Sequence, residues 1–266
     1  MTQNDLKELL DTEATRINSP AFIADDPVQF PRRFTDQRDV EIAAFLSATV
    51  AWGNRKMICR DCNRMLALMD NRPYDYMMDE GYEDLPPEQN IHRTFFARDL
   101  QHFMRGLRRI YTRHSTLDEF CAASGAPTHE LASWHLVEAI NHELAQANGG
   151  VDNSRCMPLN LNTSALKRVN MALRWLVRND GIVDMGLWQS LTPAQLYIPM
   201  DVHVGNTARA LGLLTRKSTD RRAVIELNDR LRQMRPDDPV FYDYALFGIG
   251  IESKNYPKSD VTAENY

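Results

Sequence analysis

Asp39-Val-Glu-Ile-Ala-Ala-Phe-Leu-Ser-Ala-Thr-Val-Ala51 has no charged side chain after Glu41. Such apolar density, with no alternation of apolar and polar residues, predicts a helix buried on most sides rather than a half-exposed strand. Gly53 stops it, and Asn54 is placed to cap a following helix with Met57, Ile58, Cys62, Met65, Leu66 and Met69 on one stripe. Further along, Phe95, Phe96, Leu100, Phe103, Met104, Leu107, Ile110 and Tyr111 follow helical spacing, and Thr128 to Gln146 reads as a helix ended by Asn148-Gly149-Gly150. Thr163 or Ser164 caps a helix through Val177. Thr192-Pro193 is a helix-start signature, Pro199-Met200-Asp201 opens a helix closed by Gly212, Ser218 or Thr219 begins one stopped by Pro236, and Asp238-Pro239 opens the last. The acidic Pro73–Asn90 stretch reads as loop or short irregular helices, and the tail after Ile251 as frayed. No strand run with hairpin turns occurs, so the expected class is all-α.

At 266 residues, 43% hydrophobic and 25% charged, the chain has the composition of a globular protein with a real core, which excludes wholesale disorder. No apolar run approaches the ~20 residues of a membrane span. Met1–Thr12 is polar and acidic, without the apolar region of an export signal, so a cytoplasmic, reduced location is expected. Cys59 and Cys62 have metal-like spacing but lie inside a helical stripe with no second pair, so they read as buried thiols. No phosphate-binding glycine loop or His-Glu-x-x-His occurs, and neither metal nor cofactor is expected. The net charge of −5 is unevenly distributed: seven acidic residues against Arg72 in Asp70–Gln89, then eight basic against three acidic in Arg209–Arg235. A polyanion partner is therefore permitted locally.

Two segments carry a resemblance. Ile198-Pro-Met-Asp-Val-His-Val-Gly-Asn-Thr-Ala-Arg-Ala-Leu-Gly-Leu213 resembles the stretch of the helix-hairpin-helix DNA glycosylases in which an aspartate caps a helix at the mouth of an interlobe cleft and serves as the catalytic carboxylate. Asp201 stands at that position. Ser164–Arg178, with Asp184–Trp188, resembles an uncharacterised bacterial family of glycosylase-like proteins. The usual glycine-rich hairpin is absent before Asp201, Asn206 and Val202 replace an arginine and a threonine, and there is no four-cysteine tail. Lys167 lies 34 positions before Asp201, a spacing similar to the archaeal 8-oxoguanine glycosylase branch, where an altered hairpin carries the lysine.

The resemblance implies a two-lobed helical fold with a divergent hairpin, one lobe spanning about 35–190 and the other 1–34 plus 191–266. It implies DNA as partner and excision of a damaged or mismatched base, with Asp201 and Lys167 as catalytic residues. The chemistry asks for such a pair. A carboxylate stabilises the oxocarbenium-like sugar, and an amine attacks C1′. Lys167, Arg168, Arg209 and some of Arg216, Lys217, Arg221 and Arg222 are expected to border the cleft, the arginines and Lys217 binding nucleic acid, with the Asp70–Glu88 stretch elsewhere. Trp175 is assigned to packing and Trp188, beside a Gly186 turn, to the base pocket. The alternatives are a non-catalytic nucleic-acid-binding protein of the same fold and a helical protein that binds a nucleotide or small molecule in the cleft.

Overall fold

A computed structural model describes residues 2–255. The protein is mostly helical. Its helices are α1 (Gln3–Ile17), α2 (Pro20–Asp25), α3 (Gln37–Thr49), α4 (Arg55–Leu68), α5 (Pro73–Met78), α6 (Ala97–Tyr111), α7 (Leu117–Ala123), α8 (Ala132–Ala147), α9 (Lys167–Val177), α10 (Val202–Ala210), α11 (Arg221–Met234) and α12 (Tyr242–Asn255), joined by loops and single 3-10 turns. Among the described residues no helix is long and apolar enough to cross a membrane.

The stretch from Asp39 behaves as its composition dictates: every residue of α3 from Val40 to Thr49 is buried. One of them is Glu41, whose carboxylate collects five donors. They are Gln37 Nε2 (3.1 Å), Tyr111 Oη (2.7 Å), Trp188 Nε1 (2.8 Å) and the amides of Leu117 (2.7 Å) and Asp118 (3.2 Å). Burial pushes its acidity down, and these donors oppose that shift. Four separate segments thus converge on one side chain.

Around α3 lie α9 on one side, with α4 and α5 on others, and α6 packs along α8. The last pair approaches closely at Gly106, where a Cβ would meet Leu144 Cδ2 at 2.1 Å. At the other end of the molecule α1 runs along α12, which also packs on α10. Gly248 permits this, since a Cβ there would lie 2.6 Å from Ile17 Cγ1.

The structure corrects several local expectations. Phe95 and Phe96 belong not to α6 but to β2 (Phe95–Phe96), antiparallel to β1 (Asn90–His92). Asp99 accepts from the Phe96 amide at 2.9 Å and stops the helix from extending backwards. Neither Thr163 nor Ser164 caps α9; the N-cap is Leu166 in a left-handed conformation (φ 50°), while Ser164 Oγ accepts from the Leu166 amide at 3.2 Å. Asp220, not Ser218 or Thr219, caps α11. The helix through Ile251 continues to Asn255, and the rest of the tail lies outside the described residues.

Replacing Glu41 with Ala leaves four or more donors without an acceptor in the core. We expect a loss of about 3 kcal/mol or more, read as a lower midpoint in chemical denaturation.

Candidate functional site

The ends of several elements meet around a cavity of about 560 Å³, within the usual range for small-ligand sites. Its lining includes Lys167, Arg168, Met171 and Arg174 from α9, Asp201 and His203 at the start of α10, and Asp243, Tyr244 and Phe247 from α12. Phe22, Asp26, Trp52 and Arg55 also line it. Lys167 and Asp201, singled out in the sequence, therefore line one cavity.

Local chemistry explains how each arrives there. Asn228 on α11 donates to Leu196 O and accepts from the Ile198 amide, both at 2.8 Å, which clamps the strand-like approach to Pro199. Asp201 then caps α10, and its Oδ1 accepts from the His203 and Val204 amides at 2.9 Å each. One carboxylate oxygen is thereby fixed to the helix, and the other has no hydrogen-bond partner among the described residues. Lys167, Met171 and Arg174 share one face of α9, and the Lys167 ammonium rests 3.8 Å from Met171 Sδ. Among the described residues no carboxylate lies within 4.0 Å of it. Arg168 donates to Thr49 O at 2.6 Å, placing a cation at the C-terminus of α3, and its guanidinium lies 5.3 Å from the Trp52 ring centroid. Burial lowers its pKa.

Two further carboxylates sit deeper. Asp26 is 8% exposed and Asp243 7%, whereas Asp201, Lys167 and Trp52 are half-buried and Val202 and His203 lie in the open. Asp26 Oδ1 accepts from the Val28 amide at 3.0 Å. Burial raises its pKa, against that bond and the charges of Arg174, Arg55 and Lys167. Asp243 Oδ2 accepts from Arg174 Nη1. Burial pushes its pKa up to about 6. Arg174 and Lys167 pull it down, while Asp201 and Asp184 add to the rise.

The expected base-pocket residue is corrected. Trp188 is 2% exposed and does not line the cavity, because its indole N–H is committed to Glu41 in the core. Trp175 is fully buried, as a packing residue would be. The tryptophan at the cavity is Trp52, whose carbonyl accepts from His92 Nε2 at 2.9 Å.

Most of the expected basic border is also corrected. Only Lys167 and Arg168 of that set line the cavity. Arg209 turns back to donate to the carbonyls of Arg216 (2.8 Å), Lys217 (2.8 Å) and Ser218 (3.2 Å), so it braces a turn. Arg216 pairs with Asp220 at 2.6 Å. Arg221 lies over the Trp134 ring at 5.7 Å and donates to Leu161 O at 3.3 Å. Lys217 and Arg222 are exposed but outside the cavity. None of Asp70–Glu88 lines it either; Glu80, Glu83 and Glu88 pair instead with Arg108, Arg105 and Arg98.

Asp26, Arg55, Asp243 and Tyr244 went unmarked in the sequence. Asp26-Pro27 has the signature of a turn cap, which it also is, and Asp243 lies in an apolar run with nothing local to distinguish it. Cys62 is buried with its thiol pushed up to about 12 by desolvation, and Cys59 is half-buried. Among the described residues no His, Cys, Asp and Glu cluster suits a metal.

A family model described as Protein of unknown function (DUF2400) matches residues 26–252. No curated protein and no solved structure matches the chain.

The two tryptophans should separate experimentally. Trp188→Ala is expected to destabilise the fold by about 3–5 kcal/mol. Trp52→Ala, at a half-buried position, should change the unfolding free energy by only about 1 kcal/mol.

Proposed function

Within the DUF2400 family, to which this chain belongs, we propose that this protein is a DNA glycosylase of the helix-hairpin-helix type with two helical lobes and a divergent hairpin. It acts on a damaged or mismatched base. The observation that carries this reading is that Lys167 and Asp201, from the N-terminal ends of two helices, line one cavity with Trp52, Phe22, Tyr244 and Phe247.

The chemistry follows from those side chains. A base turned out of the duplex needs an apolar, aromatic surface to replace the stacking it loses, which the four rings supply. Cleaving the C1′–N bond builds positive charge on the sugar, and the second oxygen of the Asp201 carboxylate offsets it. The base departs first with the bonding electron pair, and Lys167, having given up a proton to solvent, then attacks C1′ of the sugar cation and forms a C–N bond. The new nitrogen loses a further proton to solvent, and the C1′–O4′ bond breaks with O4′ taking up a proton, which gives the iminium. Arg55, exposed at the rim with its guanidinium 5.0 Å from the Phe247 ring centroid, is available to a backbone phosphate.

The test is a panel of lesion-bearing duplexes assayed for strand cleavage after alkali, with borohydride present in parallel. Protein should be trapped on one of the duplexes. Lys167→Gln should abolish the trapped species. Asp201→Asn should slow excision about 100-fold or more with duplex affinity retained. Affinity should fall with salt at a slope set by the phosphates contacted. Salt-sensitive binding without cleavage anywhere in the panel would leave a non-catalytic nucleic-acid-binding protein, and salt-independent binding of free nucleosides a small-molecule site.

A further inference from the structure

The cavity holds three carboxylates at two depths. Asp201 stands with Lys167 in the half-buried upper part, below the exposed Val202 and His203. Asp26 and Asp243 form the floor. A nucleotide that leaves a duplex enters such a cavity base first, because its sugar stays tied to the strand. The sugar then halts at the level of Asp201 and Lys167, and the base reaches the floor. The two tasks of N-glycoside cleavage fall on different groups. Stabilising the sugar cation needs an ionised carboxylate, while helping the base to leave needs a group that carries a proton. One carboxyl cannot do both in the same step.

We infer that Asp243 is the proton donor to the departing base. Its Oδ2 is held by Arg174, and Oδ1 has no donor among the described residues, so that oxygen is left to carry the proton towards the base. Asp26 is less suited, because the Val28 amide on its Oδ1 favours the anion. The groups facing Asp243 fix its protonation. Arg174 and Lys167 on α9 favour its anion; burial, Asp201 at the start of α10 and Asp184 oppose it. Asp26, Tyr244, His203 and Arg55 line the same cavity. Burial and the two acidic neighbours prevail, which leaves a carboxyl with an affinity for protons near neutrality. In the step itself the Asp243 O–H bond breaks and its proton passes to a ring nitrogen of the base. That nitrogen also keeps the electron pair of the broken C1′–N bond. Asp243 is left as the anion paired with Arg174, and solvent reprotonates it once the base has gone.

The inference rests on the excision reading, and single-turnover excision measured against pH separates the two. With the wild type, the rate should be flat below about pH 6 and fall about tenfold per unit above it. Asp243→Asn, which keeps an acceptor for Arg174, should be slow and should lose that fall. On a duplex whose base leaves readily as a stabilised anion, Asp243→Asn should match the wild type, a rescue that a purely structural role would not give. Asp201→Asn should keep the fall at a lower rate. Excision that is independent of pH in the wild type, or a fall retained in Asp243→Asn, overturns the assignment and leaves the excision reading standing. Absence of excision from every duplex overturns both. Should Asp243→Asn not fold, the wild-type profile and its dependence on the leaving base still decide.

Discussion

Two arginines one turn apart, Arg174 on α9 and Arg178 at its C-cap, hold the centre of this molecule together. Arg174 donates from Nε to Asp184 Oδ1 at 3.2 Å and from Nη1 to Asp243, and its guanidinium lies 4.3 Å from the Tyr244 ring centroid. Arg178 donates to Asp184 Oδ2 (2.9 Å), to both oxygens of Asp238 (3.1 and 2.9 Å) and to Asp180. The Tyr244 hydroxyl closes the circuit on Asp184 at 2.9 Å. Ion pairs this deep add little net stability over a well-packed apolar equivalent, since desolvation consumes most of the attraction. They are unforgiving of rearrangement, because any shift strands a buried charge. Their effect is to fix α12 against α9, and with it the distance between the floor of the cavity and its upper rim.

The same network sets the chemistry available there. Burial works against the charge of Arg174, yet Asp184, Tyr244 and Asp243 outweigh it and hold the guanidinium firmly protonated. Burial raises the pKa of Asp243, and Arg174, whose charge is shared between two carboxylates, offsets only part of that rise. A lysine in place of Arg174 could not span both partners with fixed geometry. Structural and chemical roles thus coincide in one side chain: the pairing that aligns two helices also tunes a carboxyl that faces the cavity.

How much of this was written locally follows from which interactions are local. Apolar density marked α3, and Asn54 and Asp201 were legible as caps because a cap and its amides are two or three residues apart. Lys167 and Asp201 were legible through spacing and resemblance. The errors share a cause. Trp188 lost its assigned role to Glu41, 147 positions earlier, and no periodicity reports that pairing. The charge of Arg209, Arg216 and Arg221 is spent on turn carbonyls, Asp220 and the Trp134 ring, which a count of basic residues cannot register. Asp26 and Asp243 carry no mark in the sequence, since their shared location depends on α12 docking beside α9.

The arrangement also accounts for why so few of the lining charges are free to act. Arg168 is tied to the Thr49 carbonyl at the end of α3 and Arg174 to its aspartates, so both shape the wall. The Lys167 ammonium touches only a thioether among the described groups, and Asp201 keeps one oxygen out of its helix cap. A cation and an anion held apart in one cavity, each short of a strong partner, is a costly arrangement in an empty protein, because closing the gap between them would gain Coulomb energy. That gap stays open because each group is anchored at the start of a different helix, and those two helices are braced through α12. Space for a ligand between lysine and carboxylate is therefore a property of the packing, and the packing is enforced by the buried arginines.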